Sequence, residues 1–133
     1  MRRVGFRRLA AALLLAGSLV PAGCASARFA DAAQRVDRAA VPHQTVSMTA
    51  ERYEFDPEEL HVKAGTLVTL TITALDDVHG FELSDWDIDV RLEPDDPVTV
   101  EFFAPQPGSY EFHCSHFCGM GHFGMTGRLV VDP

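Results

Sequence analysis

The sequence predicts an all-β sandwich of the Greek-key kind behind a short export leader, and three observations predict it. After residue 44 apolar residues alternate with period two in several separate runs. Turn-forming Gly, Pro and Asp residues divide those runs at short intervals. The helical spacing seen earlier in the chain stops there. With 133 residues, 47% of them hydrophobic, the chain suffices for one compact domain.

The first 24 residues read as an address. A basic stretch (MRRVGFRR) leads into an apolar run from Leu9 to Val20 and a small-residue end at Pro21-Ala22-Gly23-Cys24. That run is too short for a bilayer span, which needs about 20 residues. Ala22-Gly23-Cys24 resembles the cleavage box of bacterial lipoproteins, with Pro21 where a branched aliphatic residue is usual. Residues 1–23 are therefore expected to be a signal peptide, with Cys24 the lipidated first mature residue. This reading also accounts for an odd third cysteine. Plain secretion and an uncleaved N-terminal segment are the alternatives. Residues 24–44 follow as a flexible or weakly helical tether: Phe29, Ala33, Val36 and Ala40 recur at helical spacing, but a face made mostly of alanine buries little.

The domain is expected over residues 45–133. In Thr66–Ala74, Val68, Leu70, Ile72 and Ala74 share one face and Thr69, Thr71 and Thr73 the other, which describes a half-buried strand. Val98–Phe103 alternates in the same way. Ser109–Cys114 places Tyr110, Phe112 and Cys114 on one side, and Gly127–Val131 closes the domain. Lys63-Ala64-Gly65, Glu93-Pro94-Asp95 and Pro105–Gly108 supply the turns.

Charge is unevenly distributed. Four of the eleven basic residues lie in the first eight positions, whereas all nineteen acids follow residue 30. The domain is thus strongly acidic, which excludes nucleic acid as a partner and steers a basic protein towards it. No phosphate-binding glycine loop or nucleophile elbow is present.

Chemistry concentrates in Cys114-Ser-His-Phe-Cys118-Gly-Met-Gly-His122-Phe-Gly-Met125. Two thiols, an imidazole and a thioether fall within twelve residues, directly after a strand, in a loop that glycines allow to fold tightly. Soft sulfur with imidazole selects copper, zinc or iron–sulfur chemistry over magnesium or calcium, and a Met ligand argues against structural zinc.

The pattern C-S-x-x-C-G-x-x-H-x-x-M resembles the binuclear copper (CuA) centre of cytochrome c oxidase subunit II, a cupredoxin-like domain. Asp77-Val78-His79-Gly80-Phe81 is similar to the segment carrying that family's first histidine ligand, and the likeness extends over about residues 45–132. The resemblance implies two copper ions bridged by Cys114 and Cys118. It implies further ligands in His79, His122, Met125 and the backbone carbonyl of His116. It implies one-electron transfer from a c-type cytochrome, or another basic donor, to a heme-copper oxidase catalytic subunit. No catalysis is expected of this chain alone. The expected location is the periplasmic or extracytoplasmic face of the membrane, held by the lipid or the N-terminal segment. Trp86, set among Glu82, Asp85, Asp87 and Asp89, is the position where electrons would enter if its ring is exposed. Phe81, Phe117 and Phe123 are expected to shield the metals from water. His116 departs from the acidic side chain that many family members carry there.

Five other readings remain open from the residues. Cys114 and Cys118 could form a disulfide, the ligand set could hold zinc, or a mononuclear blue-copper site could use one cysteine. The chain could also be a copper-delivery protein or a free-standing carrier, using the same ligands.

Overall fold

The computed structural model describes residues 27–133, so the leader and Cys24 lie outside the described residues. Nine strands form two sheets. They are β1 (His43–Glu51), β2 (Glu54–Asp56), β3 (Glu59–Lys63), β4 (Thr66–Ala74), β5 (His79–Leu83), β6 (Ile88–Leu92), β7 (Val98–Ala104), β8 (Gly108–His113) and β9 (Thr126–Asp132). One sheet runs β2-β1-β4-β7 and the other β3-β9-β8-β5-β6. The pairs β1–β4 and β3–β9 are parallel and the other strand pairs antiparallel. The expected all-β sandwich is the observed fold.

Alternation decides which faces meet. Leu70 and Ile72 of β4 turn inward beside Phe102 of β7, and Phe81, Phe112 and Leu129 face them from the second sheet. Phe112 packs edge-on against Phe55 with centroids 5.3 Å apart and tilts against Phe81 at 5.2 Å. Each such fully buried ring contributes about 2–3 kcal/mol by leaving water. Among the described residues no buried side-chain nitrogen or oxygen lacks a hydrogen-bond partner.

The strands also set two poles. β1 ends at Glu51, β4 at Ala74 and β8 at His113, while β5 begins at His79, so these ends gather at one pole. The start of β1 and the turn after β5 lie at the other. Residues 27–42 touch the sandwich. Ala32–Arg35 makes one 3-10 turn, and the Phe29 backbone N–H donates to the Asp85 carbonyl at 2.7 Å. Phe29 stacks on Trp86 at 4.7 Å and Tyr110 at 5.6 Å. A single aromatic anchor thus straps the segment to the far pole, where the alanine face alone buries too little to hold a helix. No helix among the described residues is long and apolar enough to cross a membrane.

Candidate metal centre

The loop between β8 and β9 carries two thiols into the mouth of the sandwich. Cys114 follows the last residue of β8, and its backbone N–H donates to the Met125 carbonyl at 3.0 Å, which ties both ends of the loop together. Gly119 sits at φ +130°, a backbone angle that side chains resist, and lets Cys118 turn back towards Cys114. Tyr53 lies over Gly119 and Gly121, so a Cβ at either position would run into its ring.

The donors converge. Cys114 Sγ and Cys118 Sγ stand 3.8 Å apart, both in unpaired cysteines. His79 Nδ1 lies 3.9 Å from the first sulfur, and the His116 carbonyl oxygen 3.1 Å from it. On the other side His122 Nδ1 is 3.8 Å and Met125 Sδ 3.9 Å from Cys118 Sγ. His79 and Met125 are both 0% exposed, and both cysteines are buried. Burial pushes the Cys118 thiol up to about 11, and the neighbouring Cys114 adds to this. Burial thus favours the protonated Cys118 thiol when no metal is bound.

A further layer orients the first. His79 Nε2 donates to Asp76 Oδ1 at 2.8 Å, which leaves Nδ1 free to face the sulfurs. Burial works to raise the Asp76 carboxyl, but hydrogen bonds from His79 and the Arg52 backbone outweigh it and hold it below the usual range. The Gly80 backbone N–H donates to Cys114 Sγ at 3.4 Å. Ser115 Oγ donates to Asp89 at 2.6 Å, and Arg91 donates to the His116 ring at 3.1 Å, pinning that end of the loop to β6.

A family model of the cupredoxin-like domain matches residues 15–131. The chain belongs to the cupredoxin-like family. Within that family it is 33% identical over 103 residues to cytochrome c oxidase subunit 2 of Thermus thermophilus, covering 77% of this chain and 76% of that protein. A second subunit 2 sequence from the same species matches at 33%, with 61% of its length covered. Nitrous-oxide reductase of Stutzerimonas stutzeri is 35% identical over 92 residues, which are 66% of this chain and 14% of the reductase. A chain of a heme-copper terminal oxidase dimer superposes with a TM-score of 0.65 at 26% identity, covering 71% of this chain and 67% of that one. The periplasmic domain of cytochrome oxidase subunit II from Bradyrhizobium japonicum shares the fold, with a TM-score of 0.62 at 18% identity over 66% of this chain and 83% of that one.

Copper suits this cupredoxin's donors. With metal–ligand bonds of about 2.0–2.3 Å, donors on one four-coordinate ion stand roughly 3.5 Å apart, close to the spacings on either side of the sulfur pair. Thiolate, thioether and imidazole together are a copper set.

One sequence expectation changes. Trp86 is not an exposed ring: it is 4% exposed at the far pole, among Phe29, Phe102 and Tyr110, and its Nε1 donates to the Phe103 carbonyl at 2.7 Å. Asp87 in the left-handed region turns the chain sharply after it, so the surrounding acids face water while the indole folds inward. Phe117 and Phe123 lie at the surface beside the site. They are 61% and 85% exposed and flank His122 at 5.5 and 5.1 Å between ring centroids; only Phe81 is buried. Asp76, Arg52 and Tyr53 escaped the sequence reading, and Asp76 alone carried a signal, three residues before His79.

Proposed function

We propose that this chain carries single electrons through a binuclear copper centre held by His79, Cys114, Cys118, His122, Met125 and the His116 carbonyl. The observation that supports this best is the sulfur pair at 3.8 Å with one imidazole nitrogen beside each sulfur, at 3.9 and 3.8 Å. Held by these residues, the copper pair would supply a one-electron couple. The chain's own part is to hold the ligand geometry. β5 fixes His79, the glycine loop fixes Cys118, and the Asp76 bond fixes the first imidazole.

A redox partner would meet the centre at His122, the half-exposed ligand, between Phe117, Met120 and Phe123. We assign that apolar face to docking by a c-type cytochrome, and a heme-copper oxidase catalytic subunit as the acceptor. Similarity to oxidase subunit 2 and to a periplasmic subunit II domain supports an extracytoplasmic site of action. Attachment at Cys24 is the lipoprotein form of that placement. Delivery of copper to another protein would need accessible ligands, whereas four of the five side chains here are buried.

The test is copper stoichiometry together with electron paramagnetic resonance of the loaded protein. Two coppers per chain and a spectrum of one electron shared equally between them are expected. One copper, a zinc preference or a Cys114–Cys118 disulfide that resists loading would refute the reading.

A further inference from the structure

We infer that Arg52 is a positioning residue that locks the two sides of the metal centre to each other across the mouth of the sandwich. The inference rests on the copper reading above. Arg52 follows the last residue of β1, in the sheet that carries no ligand, yet it touches both ligand segments of the other sheet. Its Nε donates to the Cys118 carbonyl at 3.2 Å. Its backbone N–H donates to Asp76 Oδ2 at 3.0 Å, and the other oxygen of that carboxylate accepts from His79. Its Nη2 pairs with Asp77. A continuous path of bonds therefore runs from the Cys118 backbone through Arg52 and Asp76 to the His79 ring.

The side chain required is an arginine. The guanidinium offers donors in a rigid fork, and here Nε and Nη2 point to a carbonyl and a carboxylate in different directions. A lysine would keep the charge and lose at least one of those bonds. The charge has its own consequence. Asp76 and Asp77 lie beside the centre, and without Arg52 their negative charge would favour the oxidised, more positive metal pair. Arg52 thus contributes to the site in two separable ways, through geometry and through charge.

The separation makes the experiment. Wild-type, Arg52→Ala, Arg52→Lys and Asp77→Asn proteins are loaded with copper. The midpoint potential, the copper hyperfine pattern, the rate of copper loss to a Cu(I) chelator and the metal-free Tm are then measured. Arg52→Ala is expected to lower the potential, alter the hyperfine pattern and release copper on the order of tenfold faster, the usual effect of removing a group that orients a ligand. Arg52→Lys is expected to keep the potential near wild type while still releasing copper faster. Asp77→Asn should raise the potential by removing a negative charge. If Arg52→Ala keeps the potential, the spectrum and the release rate of wild type, or loses only metal-free Tm, the inference is overturned. A wild-type protein that fails to bind two coppers overturns both the inference and the reading it rests on, so the two failures are distinguishable.

Discussion

Gly80 shows how little room surrounds the ligands. A Cβ there would collide with the Ser115 side chain and come within 2.6 Å of the His116 backbone nitrogen, in the loop that carries both thiols. Neither neighbour is the far end of a flexible side chain, because Ser115 is itself tied to Asp89. Gly80→Ala should therefore push β5 and the ligand loop apart, at a cost of about 2 kcal/mol in metal-free stability. It should also reduce copper bound per chain. Urea unfolding followed by metal analysis checks both, and unchanged values would mean that the loop yields freely. The candidate donors could be named from the sequence because four of their side chains sit within twelve residues, at spacings a tight loop can use. Arg52 could not: it belongs to the other sheet and reaches the site through a pairing that no local period announces. The burial of Trp86 was hidden for a related reason, since a ring among acids looks exposed until the turn after β5 is seen to fold it inward.

Strands with one wet face were easier to read than strands buried on both faces or left at an edge. β4 and β8 have clean alternation, and their observed bounds, Thr66–Ala74 and Gly108–His113, lie within a residue of the expected ones. β5 is too buried to alternate and β2 has only three residues, so neither carried a periodic signal, whereas the edge strand β6 does alternate, Ile88, Val90 and Leu92 against Asp89 and Arg91, in a run too short to stand out. The parallel β3–β9 pair adds a feature only the fold reveals. His61 of β3 has Nδ1 at 3.2 Å from Asp132 of β9 and Nε2 at 3.1 Å from Glu59. Asp132 first and Glu59 second raise its pKa above the ordinary 6.5. A raised folded value means that the protonated ring stabilises the fold below the unfolded pKa, and that this is lost as pH rises through the folded one. His61→Gln should accordingly lower Tm most at about pH 5.5 and least at about pH 8.5. The groups are exposed, so salt should shrink the gap. A gap independent of pH would show that the ring acts by packing instead.

At the scale of the whole molecule, the two poles divide the work. The strap around Phe29 seals the far pole, so the chain enters the domain there, while the metal centre opens at the other. That second pole combines an apolar face with an acidic rim. Phe117, Met120 and Phe123 are exposed around His122, and Glu51, Glu54, Asp76, Glu93, Asp95 and Asp96 lie exposed at strand ends and in turns at the same end. Long-range attraction and short-range contact should then govern different parts of an encounter with a basic cytochrome. Raising ionic strength should slow second-order electron transfer into the copper-loaded protein, because screening acts on the acids at distances beyond about 10 Å at 0.1 M salt. Phe123→Ala, at 85% exposure, should leave the fold and the salt slope intact and lower the rate at every ionic strength, by roughly tenfold if the ring sits in the centre of the contact. Stopped-flow reduction across a salt series separates the two effects. A salt-independent rate would remove the acidic rim from recognition, and a rate unaffected by Phe123→Ala would move docking away from His122.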